Sequence, residues 1–371
     1  MSDRELLDNI RTDVVGSLLR PENLKQVRSK VEQGELDQNS LNTAQDEAVL
    51  EVIRKQESLD LPVVTDGEVR RDGYQDSFAM AVSGINVRST ASTLNVTLAG
   101  SRTEDPTFNK REAVSGRLKL VNNVPLAEYR YASMVANKPL KITLLGPGRI
   151  MQRFDPEKSK DVYPDIDAFV ADVVAVERQM ISELVQAGCR YIQLDEPSYT
   201  AYVDPTWIAA WKQRGEDPEQ HLARAILADN AVMKGFDDVT FGIHVCRGNR
   251  QGMYHREGKY DSIAEQLLGS LECQRFLLEY DTERSGGFEP LRFIPEGKVA
   301  VLGLVSTKFA SMEKVDVLRS RIEEASQFLP LEQLALSPQC GFASSFPGNQ
   351  LQVEEQWQKL ELIQTVAQLT W

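Results

Sequence analysis

The chain has 371 residues, 42% of them hydrophobic, and a formal net charge of −13. The length suits one large α/β domain or two or three smaller ones. The acidic balance excludes a basic nucleic-acid-binding face, no run approaches the ~18 apolar residues of a membrane span, and the charged start Met1–Glu5 lacks an apolar signal core. The expectation is therefore a cytoplasmic protein with neither nucleic-acid nor membrane partners. Its four cysteines, Cys189, Cys246, Cys273 and Cys340, are widely spaced. In such a chain they read as thiols or metal ligands rather than disulfides.

Asp13–Leu19 is a short apolar run broken by Gly16-Ser17 and followed by Arg20-Pro21, which predicts a first strand and its outgoing loop. Residues 41–59 place Leu41, Ala44, Ala48, Val49, Val52 and Ile53 at helical spacing. Leu61–Glu68 predicts a second strand ending in a polar cluster. Residues 78–135 break the rhythm: they are rich in Ser, Thr, Asn and Val and alternate at Leu94–Leu98. A β-rich insertion after strand two, a lid or hairpin, is expected there. Lys141–Gly148 is the third run, and residues 166–187 predict a helix closing at Gly188. Tyr191–Pro197 is the fourth run, followed by helical residues 204–237, interrupted near Gly215–Pro218. Thr240–Cys246, Arg275–Asp281, Val299–Val305 and Gln333–Pro338 complete the series. Helices are expected near 260–270, 312–328 and 351–368.

Alternation of strands and helices implies parallel pairing. Eight repeats point to a closed (β/α)8 TIM barrel, with residues 1–371 as a single catalytic domain. An open doubly wound sheet is the other arrangement. Gly146-Pro-Gly148 has the wrong spacing for a phosphate loop, and its proline removes an amide donor.

In such barrels the active site lies at the C-terminal ends of the strands. Ser17, Glu68, Asp195, Glu196, His244, Cys246, Glu279 and Cys340 all fall at or just past those ends. His244 and Cys246, two apart in a strand, point to one face. Imidazole and thiolate are ligands that zinc prefers. Glu279 and Cys340 are the candidates to complete the set, with Glu283 as a rival to Glu279. Two thiolates and a carboxylate around Zn²⁺ leave a net charge of −1. That suits activation of a substrate thiol, with a zinc-bound thiolate as nucleophile toward an alkyl carbon. Cys189 and Cys273 fall before strands four and six and read as structural thiols. His221 and His255 read as surface residues, His255 being close enough to the site to keep in view.

At Val15-Gly-Ser17, Asp66-Gly-Glu68, Gln193–Pro197, His244-Val-Cys246, Glu279 and Ser337–Gly341, the chain resembles the C-terminal catalytic barrel of cobalamin-independent methionine synthase. The resemblance covers nearly the whole chain. It implies a zinc-dependent methyltransferase acting on the sulfur of homocysteine, with His244, Cys246, Glu279 and Cys340 as zinc ligands. By the same resemblance Gly16, Ser17, Glu68 and Asp195 hold homocysteine: the two carboxylates would pair with its ammonium, and the Gly16-Ser17 amides and hydroxyl would receive its carboxylate. The methyl donor would be methyl-tetrahydrofolate or a methylcobalamin-bearing protein.

Two departures stand out. There is room for one barrel where the full-length synthase has two, and Leu302–Lys308 holds no histidine where the family usually has one after strand seven. Single-barrel relatives include enzymes that alkylate other thiols, such as epoxyalkane–coenzyme M transferase. A metal-free barrel of the uroporphyrinogen decarboxylase type is the reading in which the cysteines are core thiols. Arg70, Arg71 and Arg247 are candidates to meet an acidic donor or a substrate carboxylate.

Overall fold

The structure is a computed structural model that describes residues 6, 7, 9–85, 99–103 and 111–371. Strand β1 (Val82–Ile85) pairs antiparallel with β2 (Val114–Leu120). Six strands then form one parallel sheet in chain order: β3 (Lys141–Leu145), β4 (Tyr191–Asp195), β5 (Thr240–Val245), β6 (Arg275–Glu279), β7 (Val299–Val305) and β8 (Leu334–Pro338). Every residue of these six strands is buried. This is why their sequences read as continuous apolar runs rather than as alternations.

The first two runs of the sequence flank this sheet. Thr12 forms a parallel bridge to Leu336 of β8, and Val64 forms one to Leu140 beside β3. Each makes a single bridge where a longer strand was expected. Gly16, Gly67 and Glu68 all take positive φ, at 151°, 69° and 51°. These angles break the extended backbone soon after each bridge. The sheet is curved: Lys141 of β3, Tyr191 of β4 and Arg275 of β6 all reach the Asp13 carboxylate, at 2.8, 2.5 and 3.1 Å. The result is an α/β fold of TIM-barrel-like type.

Helices cover the outer face. Ile166–Gln186 starts on Asp165, whose side chain accepts the Ala168 amide at 2.8 Å. It buries Phe169, Val173, Val176, Met180 and Leu184 at helical spacing and packs against Pro218–Met233 and β2. The helices Gln38–Ser58, Pro205–Gln213, Val315–Ala325 and Val353–Thr370 lie where expected. Among the described residues no helix is long and apolar enough to cross a membrane.

The region 78–135 is less β-rich than its composition suggests. Beyond the β1–β2 hairpin it contains the helix Val124–Val135. Asn123 caps that helix, Pro125 sits in its first turn, and Leu126, Tyr129 and Ala132 are buried at helical spacing. Capping and burial outweigh the strand-like composition there. Leu94–Leu98 lies outside the described residues. Ala99–Thr103 docks on the loop after β5, with Gly100 N–H on Gly252 O and Thr103 N–H on Tyr254 O, both at 2.8 Å.

Candidate metal centre and substrate pocket

The register aligns the ends of the parallel strands. Asp195 pairs with His244, and His244 with Leu277. His244 Nδ1 meets the Leu277 carbonyl at 3.1 Å. With Nδ1–H donating there, Nε2 keeps its lone pair free for a metal. Nε2 is buried and has no hydrogen-bond partner among the described residues. Cys246 follows β5 on the same face, and Cys340 follows β8. Their sulfurs lie 3.8 Å apart, although the residues are 94 positions apart in sequence. The donor atoms of His244, Cys246 and Cys340 all lie within 4.8 Å of one another.

The loops that carry them are tied together. Asn249 Nδ2 donates to Thr307 Oγ1 at 2.8 Å and to Gly341 O at 2.9 Å. Phe342 N–H reaches Ser17 O at 2.7 Å. The three groups are electrostatically linked. A hydrogen bond from the Cys340 thiol, with His244 alongside, holds Cys246 well below the usual thiol range, and Cys340 is pushed up in return. Burial works against a charged His244, but the Cys246 thiolate outweighs it and the imidazole is shifted up.

Glu279 ends β6, yet it is not one of the three clustered donors. Its Oε2 accepts the Arg247 amide at 2.6 Å, its Oε1 takes an N–H from Arg284 at 2.5 Å, and Lys308 Nζ stands 3.8 Å from Oε1. Burial opposes its charge, but Lys308, Arg247 and Arg284 win, and the carboxyl is held down at about 2. Glu283 is exposed on the following turn, so of the two rivals Glu279 is the buried one.

Opposite the thiols, Glu68 is buried and accepts the Ser17 hydroxyl on Oε2 and Thr143 Oγ1 on Oε1 at 2.6 Å. Gly16 is needed for this approach, because a Cβ there would stand 2.7 Å from Glu68 Oε1. Asp195 accepts Gln193 Nε2 at 2.7 Å, and Lys141 fixes Gln193 from below at 2.7 Å. Burial and the neighbouring Glu68 raise the Asp195 carboxyl to about 7. Ser17, Glu68, Asp195, His244, Cys246 and Cys340 line one cleft of ≈ 810 Å³, including the space at its mouth.

His255, expected at the surface, is buried and lines the same cleft. The segment Gly248–His255 folds inward, bringing the His255 ring within 2.4 Å of where a Gly248 Cβ would stand. Tyr74, Gln75, Arg153 and Arg250 also line the cleft. They sit in irregular loops, where spacing carries no signal. The side chains of the three arginines of interest are engaged by protein partners, and Arg71 Nη1 also stands 3.6 Å from Glu68 Oε1 of the site. Arg70 pairs with Asp46, Arg71 holds Glu128 at 2.7 Å, and Arg247 donates to Gly258 O at 2.6 Å. Cys189 and Cys273 are buried away from the cluster, and burial pushes both thiols up to about 12. They are inert thiols of the core.

The family model of the cobalamin-independent synthase catalytic domain matches residues 10–368. The chain belongs to that family of methyltransferases. The uncharacterised protein YxjH of Bacillus subtilis is 34% identical over 97% of this chain and 94% of its own length. The methionine synthase of Sulfolobus acidocaldarius is 25% identical over 89% of this chain and 85% of its own. A solved structure from Listeria monocytogenes, provisionally described as a vitamin-B12-independent methionine synthase, superposes with a TM-score of 0.74. It is 27% identical and 98% of each chain is covered. The protein is thus an enzyme of a methyltransferase family linked to methionine metabolism, with a His/Cys/Cys cluster able to hold a metal ion.

Proposed function

We propose that this enzyme is a zinc-dependent S-methyltransferase that forms methionine from homocysteine. One observation carries the reading: two thiols and an imidazole with a free Nε2 converge in one buried point, in the same cleft as two carboxylates and a serine. The donor set fits zinc, for which two sulfurs and a nitrogen with one open position is a catalytic pattern. His244, Cys246 and Cys340 would hold the ion, with Glu279 as an exchangeable fourth ligand. When bound, zinc supplies the positive charge that keeps a substrate thiol deprotonated near neutral pH.

The chain's own residues orient that thiol. Glu68 and Asp195 pair with the substrate ammonium, and the Gly16-Ser17 turn receives its carboxylate. Burial of the cleft excludes water and strengthens each of these contacts. The two bridged segments at Thr12 and Val64 would complete an eight-stranded barrel over residues 1–371, working in the reducing cytoplasm. The methyl donor is a methyl-tetrahydrofolate or a methylcobalamin-bearing protein.

Elemental analysis of wild type and Cys246→Ser tests the centre. About one zinc per chain, lost in the variant and bound by homocysteine sulfur in wild type, is the expected result. Folded protein without stoichiometric zinc would refute it in favour of a metal-free barrel. Zinc present with no response to homocysteine would point to another thiol, as in epoxyalkane–coenzyme M transferase.

A further inference from the structure

The insertion that follows the second run of the sequence is gripped at two points by one helix, Pro205–Gln213. Arg102 reaches the start of that helix. Its Nη2 donates to Asp204 Oδ2 at 2.9 Å, and its Nη1 donates to Glu257 Oε1 at 3.1 Å. Asp204 has a fully buried side chain and caps the helix, accepting the Thr206 amide at 2.9 Å; it also accepts the Glu257 amide at 2.9 Å. Arg111 reaches the other end. It meets Glu216 through two parallel bonds, at 2.8 and 2.7 Å, and the Glu216 amide is tied to Trp211 O of the helix at 3.0 Å. Burial opposes the Glu216 charge, but Arg111 and Arg214 hold its carboxyl down at about 2. The helix is a firm support, because Trp211 is buried and stacks on Tyr202 at 4.9 Å.

Each gripped end carries one wall of the cleft. Beside Arg102, Tyr254 N–H reaches Ser101 O at 3.0 Å and Thr103 N–H reaches Tyr254 O at 2.8 Å. The loop held in this way presents Gly248, Arg250 and His255 to the cleft. Beside Arg111, Glu112 N–H reaches Arg153 O at 2.7 Å and Asp155 N–H reaches Glu112 O at 3.1 Å. The Arg153 side chain lines the cleft. The inner part of the cleft is held differently. Asp195, His244, Cys246 and Cys340 sit at or just past the ends of strands that the sheet itself fixes. The two outer walls rest on irregular loops, whose position has no such support.

We propose that Arg102 and Arg111 are positioning residues: by gripping both ends of the helix Pro205–Gln213 they hold the two outer walls of the cleft and set the size of the alkyl donor that can reach the thiol. This deepens the reading of the cleft as a site of thiol alkylation and rests on it. Arginine suits the task, since its planar fork against a carboxylate fixes direction as well as distance.

The test uses the whole protein stripped of metal by chelation, as wild type and as the double variant Arg102→Met, Arg111→Met. Both side chains are partly exposed, at 28% and 23%, so the fold is retained. Cys246 is alkylated in parallel with iodoacetamide, which is small, and pyrenylmaleimide, which is bulky, and mass spectrometry follows each cysteine. Releasing the walls raises the bulky-to-small rate ratio at Cys246 about 10-fold, the scale of local opening after two partly exposed ion pairs are lost. Cys189 and Cys273 stay unlabelled. A ratio within about 3-fold of wild type overturns the proposal. So does a rise shared by Cys189 and Cys273, which reports general loosening. If the double variant does not fold, Arg102→Met alone decides by the same limit. A Cys246 that resists iodoacetamide in folded, metal-free wild type refutes the thiol reading itself, and this proposal falls with it.

Discussion

Replacing Gly16 by alanine adds one methyl group at the tightest point of the substrate wall. Its Cβ would stand 2.7 Å from Glu68 Oε1 and 3.0 Å from Thr143 Cγ2, at a φ of +151°. Backbone strain at such an angle costs about 1–3 kcal/mol. The Glu68 carboxylate must also move, which breaks its bonds from Ser17 and Thr143 and adds about 1–3 kcal/mol for buried groups left unpaired. The expected loss in urea unfolding is therefore roughly 2–6 kcal/mol. Gly34→Ala serves as a control: Gly34 also has a positive φ, +76°, but nothing lies within 4 Å of its added Cβ, so only strain of about 1 kcal/mol is paid. Binding of methionine, followed calorimetrically, should fall at least 30-fold, about 2 kcal/mol, in folded Gly16→Ala, while zinc content is retained because the ligands lie across the cleft. A Gly16→Ala protein with stability within about 0.5 kcal/mol of Gly34→Ala and unchanged methionine binding would refute the role of this approach.

Three further outcomes are expected. Asp195 is raised from its ordinary 3.8 to about 7, so it is neutral below that pH and charged above it. Methionine affinity should then rise through pH 7 and fall about 10-fold per unit below it, a slope that calorimetry should find absent in Asp195→Asn. The folded state holds this proton more tightly than the unfolded chain, so its contribution to stability is present below about pH 4 and lost as pH rises through 7; Asp195→Asn should flatten that part of the stability profile. Lys141→Met removes the cation that reaches Asp13 Oδ1 at 2.8 Å and Gln193 Oε1 at 2.7 Å, all fully buried. It should cost about 3–5 kcal/mol in urea unfolding and weaken methionine binding through Gln193. Alkylation under native conditions should spare Cys189 and Cys273, both raised to about 12, and mass spectrometry should find label on Cys246 once zinc is removed.

Much of the site is legible along the chain because its signals are local. Strand alternation puts His244 and Cys246 on one face without knowledge of any other residue. Gly16 and Gly67 mark where the first two segments turn away from the sheet. His255 was less legible: its loop has no periodicity, and its burial comes from an inward fold between Gly248 and Arg256. The helix Val124–Val135 was masked by β-like composition upstream of its cap at Asn123. Glu279 shows the limit most clearly. Position at a strand end marks it as a ligand, while Arg284 and Lys308 engage its carboxylate in three dimensions.

By itself the sequence determined the six buried strand runs from Lys141 onward, their parallel order and the His244/Cys246/Cys340 candidates, since each depends on burial and spacing within a few residues. Only the tertiary structure decided which donors meet. Cys340 reaches Cys246 across 94 positions because β5 and β8 end on the same side of a curved sheet. It also decided which charges neutralise one another. Partner choice among buried ions depends on distances of a few ångströms through a medium that screens weakly, and those distances exist only once the sheet has folded.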